Sequence, residues 1–314
     1  MKSGRPIILS CIIGLLVLAL STASGSRVHD SFSGKEHGRQ VGGESFLRTD
    51  NRRKKMSDNY GSEKYECLNN MVIILVDPSH YGNIGSASRA MKTMGLSKLR
   101  IVSSNGSIIT DEALALSKGA ADVLKSAEVF STLDEALADV TFVAGTSARH
   151  RSIELPLYQP REAVEKIRPH LMNGMKCAIM FGRERTGLTN EELQRCDIHI
   201  NIDANPEYSS LNLAMSVQVL SYELRQACLR SATQEPSADF DEGLRKPKHS
   251  DLEQFYSFIE KNLCDCGFLK KNHNGSVMGQ IRRVYAKADM SAHELRIIYG
   301  TLASMLKHRK DGGE

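Results

Sequence analysis

Phe181-Gly182-Arg183-Glu184-Arg185-Thr186-Gly187-Leu188, closely followed by Glu207-Tyr208-Ser209-Ser210-Leu211-Asn212-Leu213, decides how this chain is read. Each stretch joins a strand to a polar loop, and the second loop runs directly into a helix. In an open α/β sheet, neighbouring strands deliver such loops to one edge, where they share a ligand. Two glycines in the first loop let backbone amides approach a small polar molecule closely.

Outward from these loops the pattern alternates. Met71–Val76 (MVIILV) is a continuous apolar run, the mark of a strand buried on both faces of a parallel sheet. Further strands are expected at 99–102, 129–130, 140–144, 177–181 and 198–202. Helices should follow a turn at 79–85, span 111–117, 120–125, 133–138 and 161–171, and begin after Thr189. Thr132 with Glu135, and Thr189 with Glu192, have capping-box spacing. Residues 213–230 carry an apolar stripe of Leu213, Val217, Leu220 and Leu224. The expected fold is α/β, with a mainly parallel sheet and helices on both faces. A small helical module should follow, with helices at 252–259, 277–286 and 293–307.

The 314 residues are 41% hydrophobic and 25% charged, with a formal charge of +4, which permits an RNA partner without demanding one. Lys2 and Arg5 precede an apolar run at 7–20 and then the small residues Ser21-Thr22-Ala23-Ser24-Gly25. This reads as a signal-peptide-like leader, too short for a comfortable membrane span. The implied divisions are a leader (1–25), a polar, disordered, transit-like segment (26–66), the α/β domain (67–230), a linker (231–250) and the helical module (251–314). No stable membrane association is expected once the leader is removed. The seven cysteines contain no C-x-x-C pair, and they read as ordinary thiols. His80, His150 and His199 lack ligand-like spacing, so no metal is expected.

Three places could carry chemistry. In Asn83-Ile84-Gly85-Ser86-Ala87-Ser88-Arg89, Gly85 suits a tight turn and close backbone approach. Arg89, about one turn inside the following helix, suits a phosphate or a developing oxyanion; it equally suits a helix-to-sheet salt bridge. Gly145-Thr146-Ser147-Ala148-Arg149 ends a strand, where Thr146, Ser147 and free amides can meet a polar ligand or simply form a turn. Glu184 can orient a cation or cap a turn. Ser210 and Asn212 can hold substrate, or Ser210 can cap the helix. G-x-G-x-x-G and the P-loop are absent, which disfavours dinucleotide and nucleoside-triphosphate enzymes.

Taken in order, Asn83-x-Gly85-x-x-x-Arg89, Phe181-Gly182-Arg183-Glu184-x-x-Gly187-Leu188 and Ser209-Ser210-Leu211-Asn212-Leu213-Ala214 closely resemble the three motifs of the SpoU-type (SPOUT superfamily) RNA 2′-O-ribose methyltransferases. Residues 205–215 and Gly145-Thr146-Ser147-Ala148-Arg149 are similar to the TrmJ subgroup, which methylates tRNA in the anticodon loop. The resemblance covers roughly 71–307. It implies a C-terminal trefoil knot that binds S-adenosylmethionine, and a homodimer with the active site at the subunit interface. By motif match the cofactor contacts are Gly145, Thr146, Ser147, Gly182, Ile202, Ser210 and Leu211. Arg89 matches the catalytic arginine, and Asn83, Glu184, Ser210 and Asn212 match the other active-site positions. An inactive RNA-binding protein on the same fold, or rRNA as substrate, is the alternative. Leader and basic stretch together resemble the bipartite presequence of complex plastids, so plastid import is expected, with mitochondrial import as the alternative.

Overall fold

The computed structural model describes residues 62–103, 109–148, 155–231, 245–270 and 276–311. The expected leader, nearly all of the transit-like segment, most of the linker, and Arg149, His150 and Arg151 lie outside the described residues.

A short 3-10 segment, Ser62–Asn70, leads into β1 (Met71–Val76), α1 (Tyr81–Thr93), β2 (Lys98–Val102), α2 (Asp111–Ser117), α3 (Ala121–Lys125) and β3 (Glu128–Phe130). There follow α4 (Leu133–Leu137), β4 (Phe142–Thr146), β5 (Leu157–Tyr158), α5 (Pro160–Met172), β6 (Cys177–Phe181), α6 (Asn190–Leu193), β7 (Ile198–Ile200) and α7 (Leu213–Ser231). The helical module comprises α8 (His249–Asp265), α9 (Ser276–Lys287) and α10 (Ala292–Asp311).

The sheet has seven strands in the order β3-β2-β1-β6-β4-β7-β5. Every pairing in it is parallel. Because side chains alternate along a strand, β1 feeds two layers. Met71, Ile73 and Leu75 join the core built with α1, α5 and α7, while Val72, Ile74 and Val76 join a smaller core with Ala136, Leu137, Leu188 and Leu193. Burial on both faces explains why β1 contains no polar residue. The helix α7 packs against both α1 and α5. β6 inserts between β1 and β4, and β7 then returns outside β4. That order is compatible with the expected knot.

Several boundaries differ from expectation, and two of them bear on the site. The strand β4 begins two residues later, at Phe142, and so carries Thr146 in the sheet. More consequentially, α1 starts at Tyr81, so 81–85 is helix rather than turn. Gly85 is therefore not needed for a bend. Its role is close approach: a Cβ there would fall 2.0 Å from the carbonyl oxygen of Ala113 on α2.

The helical module is attached through backbone. His249 N–H donates to the Val140 carbonyl at 2.7 Å, and Ser250 N–H to Ala138 at 3.3 Å. Inside the module Phe255 meets Tyr285 edge-on at 4.9 Å, and Phe258 meets Tyr299 at 4.7 Å. No helix among the described residues is long and apolar enough to cross a membrane.

The Gly85 contact is testable. Gly85→Ala should lower stability by about 1–3 kcal/mol, because neither helix backbone can yield without repacking. Urea unfolding should show a lower midpoint with an unchanged slope.

Candidate active site

The loop after β6 is held in a tight turn. Gly187 has φ +69° and donates its N–H to the Arg183 carbonyl at 2.8 Å. A Cβ on Gly182 would lie 2.2 Å from the Gly187 carbonyl carbon, so glycine is required where the two limbs meet. Arg183 anchors this loop. It donates to both carboxylate oxygens of Glu192 at 3.1 Å and also pairs with Asp77 at the end of β1. Glu192 in turn belongs to the Thr189 capping box of α6, as the spacing predicted. The Arg183–Glu192–Asp77 tie had no sequence signal, because Asp77 is 106 positions from Arg183 and the nine-residue step to Glu192 is not a helix or strand spacing.

Glu184 points toward the start of α1. It accepts from the N–H groups of Ser79 at 2.8 Å and His80 at 3.2 Å, and from Asn83 Nδ2 at 2.9 Å. The carboxylate thus gathers the two amides just ahead of α1, at the end of the helix that favours negative charge. Burial pushes the Glu184 carboxyl up, but the hydrogen bonds from Asn83, Ser79 and His80 outweigh it and hold the group below its ordinary 4.5.

The chain of contacts continues. Asn83 Oδ1 accepts from Asn212 Nδ2 at 2.9 Å, and Asn212 Oδ1 accepts from Ala214 N–H at 2.9 Å. Asn212, not Ser210, caps the helix that follows. The reason is position: α7 begins at Leu213, so the residue just before it is the one within reach of the free amides. Glu184, Asn83 and Asn212 come from three separate motifs and form one continuous hydrogen-bonded chain.

Beside this chain lies a cleft of about 250 Å³. Among the expected cofactor contacts, Thr146, Ser147, Gly182, Ile202, Ser210 and Leu211 line it. Gly145 does not. A Cβ there would strike Cys196 Sγ at 2.6 Å and Leu193 at 2.8 Å, so its glycine serves packing of β4 against α6. The Thr146 hydroxyl donates to the Met180 carbonyl at 2.9 Å, and the Ser147 amide donates to Ile200 at 3.0 Å. Both therefore shape the wall through the sheet. Phe181, Ile200 and Leu213 add an apolar floor that the motifs did not announce.

Arg89 stands apart. It is exposed, six positions beyond Asn83 on α1, which places it about 9 Å farther along the helix axis. It is not among the residues lining the cleft. His80 is exposed at the start of α1, and His199 is buried in β7.

A larger cavity, about 620 Å³, lies between α6, α8 and α9. Three of its cations are paired: Arg195 with Asp134, Arg282 with Glu253 and Lys246 with Asp289. None of the three motifs' expected site residues lines it, so the smaller cleft is the candidate site. That cleft suits S-adenosylmethionine. Its floor is apolar, as an adenine ring prefers, and Ser147, Ser209 and Ser210 set hydroxyl groups around it.

Residues 70–222 match the SpoU rRNA Methylase family, and residues 250–314 match the tRNA methyltransferase TrmJ, C-terminal domain. The chain belongs to the SpoU methylase family, within the SPOUT fold. It is 48% identical over 244 residues to the tRNA (cytidine/uridine-2′-O-)-methyltransferase TrmJ of Salmonella choleraesuis, a match covering 77% of this chain and 99% of the relative. Among solved structures, TrmJ from Z. mobilis is 30% identical with a TM-score of 0.65, covering 74% of this chain and 98% of that one. A probable methylase family protein from Haemophilus influenzae is 43% identical with a TM-score of 0.51, covering 79% and 100%.

These relatives correct one expectation. The relatives from Salmonella choleraesuis and Cronobacter sakazakii, similar along more than three quarters of this chain, are bacterial, and the destination in a plastid or mitochondrion is withdrawn. The presequence resemblance rested on the order of charged, apolar and small residues in 1–66, nearly all of it outside the described residues.

Replacing Glu184 tests the hydrogen-bonded chain. A carboxyl held below 4.5 in the folded state adds stability above pH 4.5, and that stability is lost as pH falls through its lowered value. Glu184→Gln should therefore be less stable than the parent at pH 7, and the gap should narrow on acidification below 4.5. Thermal unfolding across pH measures both effects.

Proposed function

We propose that this chain transfers a methyl group from S-adenosylmethionine to a ribose 2′-hydroxyl of tRNA, in the anticodon loop. The observation that carries the reading is the Glu184–Asn83–Asn212 chain at the edge of the candidate cofactor cleft. It supports an active site because three motifs, separated in sequence, converge on one place beside a ligand-sized hollow. The match of the C-terminal residues to a tRNA methyltransferase domain favours tRNA over rRNA.

S-adenosylmethionine supplies an electrophilic methyl group on sulfur. Residues of the cleft, Thr146, Ser147, Gly182, Ile202, Ser210 and Leu211, would hold it, with Gly145 setting the strand end behind them. A hydroxyl is a weak nucleophile, so holding donor and acceptor in line lowers the barrier. Asn83, Glu184, Ser210 and Asn212 form the edge against which the ribose is set. Arg89 orients the neighbouring RNA phosphate and stabilises the alkoxide as it forms. A guanidinium does not surrender its proton in a protein, so the phosphate relays the proton instead.

Arg89 lies outside the cleft of its own chain, which fits a homodimer with the site at the subunit interface. Met215 and Tyr222, exposed one above the other on α7, give such a dimer an apolar contact beside α1. Residues 67–230 then form the catalytic domain, and the helical module 251–314 positions the RNA.

Arg89→Ala should lower methyl transfer to a tRNA transcript by at least about 100-fold, the scale of losing one charge-stabilising donor. Calorimetric affinity for S-adenosylmethionine should stay within a few-fold of the parent. Lost cofactor affinity in this variant would overturn the role given to Arg89. Methylation of rRNA but not tRNA by the parent would overturn the substrate.

A further inference from the structure

Cys67 and Cys228 are 161 positions apart, yet their sulfurs are 2.8 Å apart. Cys67 lies in the 3-10 segment that precedes β1, and Cys228 sits in the last turns of α7. Both are free thiols. The separation is well inside ordinary sulfur–sulfur contact, and a bond of about 2.05 Å needs only a small further approach. We propose that Cys67 and Cys228 are a redox-active thiol pair, closed into an intrachain disulfide by a small-molecule disulfide such as oxidised glutathione.

The two sulfurs are unlike, and the difference assigns their roles. Cys67 is partly exposed, whereas Cys228 is 3% exposed. The hydrogen bond with Cys228 holds the Cys67 thiol below its usual range against the opposing effect of burial. The same contact, reinforced by burial, pushes Cys228 up. Cys67 is thus the accessible nucleophile, and Cys228 is the resolving thiol behind it. By contrast, burial pushes both Cys177 and Cys196 up and leaves them as inert core thiols.

The exchange balances without another reactant. The Cys67 thiolate attacks one sulfur of the reagent, the reagent's S–S bond breaks, and one thiolate leaves and takes a proton. Cys228 gives its proton to solvent and attacks the Cys67 sulfur of the mixed disulfide, expelling the second thiol. The chain loses two electrons and two protons, and the reagent gains them. The bond would join the entry to β1 to the far end of the helix whose first turn is capped by Asn212. All three motifs lie inside the closed loop.

Peptide mapping of the unaltered full chain after exposure to oxidised glutathione tests this. The expected result is one linked peptide pair, Cys67 with Cys228, and a thermal midpoint several degrees above that of the reduced chain, since the bond closes a very long loop. Cys228→Ser should trap Cys67 as a stable glutathione adduct, and Cys67→Ser should leave Cys228 unmodified. The proposal is overturned if Cys67 and Cys228 both stay alkylatable at a dose that already modifies exposed Cys266. It is equally overturned if Cys67 in the unaltered chain stops at the glutathione adduct, or links elsewhere.

Discussion

The acceptance of two backbone N–H groups and one side-chain amide by Glu184 is the contact on which the site depends. It joins the loop after β6 to the start of α1 across more than 100 positions of sequence. Because Asn83 donates to the carboxylate, its own oxygen is left facing Asn212. Asn212 then has its amide nitrogen engaged, so its oxygen turns to the Ala214 amide and starts α7. Each orientation fixes the next. Two helix starts, α1 and α7, are thereby satisfied by one ionised group acting through two neutral amides. The geometry forms only when β1 and β6 are already side by side, which ties assembly of the site to completion of the sheet.

Much of the fold was readable because its signals are local. The apolar run of β1, the capping boxes at Thr132 and Thr189, and the stripe on α7 each sit within a few residues, and each element forms as read. The start of α1 was misread because Asn83 and Gly85 look like turn residues in isolation. Their reasons are tertiary: Gly85 admits α2, and Asn83 bridges two motifs. The two-residue β5 has no periodicity to detect, and it forms by pairing at the edge with β7. The role of Arg183 was equally invisible, since its anchor at Asp77 is brought near only by the pairing of β1 with β6, and Glu192 only by the turn of the loop after β6.

The candidate site divides along a similar line. Motif residues indicated the cleft well, since most of the expected contacts line it. What the motifs could not separate is a residue that touches a ligand from one that shapes the wall. Gly145 leaves no room for a Cβ beside Cys196 and Leu193, and Thr146 donates its hydroxyl into the sheet. Both kinds of residue occur in one motif because β4 must pack closely on α6 to leave the hollow beyond it. The leader taught the opposite lesson: composition without a packed context pointed to an organelle, and bacterial relatives along most of the chain removed that reading.

The position of Arg89 follows from helix geometry rather than from any irregularity. Asn83 lies in the first turn of α1, where it must face β6 to meet Glu184. Six residues later a helix has turned about 600°, so Arg89 cannot share that direction. An arginine needed at the same cleft within one chain would sit one turn on, at a spacing of three or four. The spacing of six instead sends it outward, on the helix that packs beside the exposed Met215 and Tyr222 of α7. Under the proposed dimer this separation is functional. Cofactor and ribose would be held by groups within the chain, while the phosphate-orienting charge would be completed only by assembly. A monomer could then hold the cofactor with its intramolecular hydrogen-bonded chain intact and still lack the group that readies the acceptor.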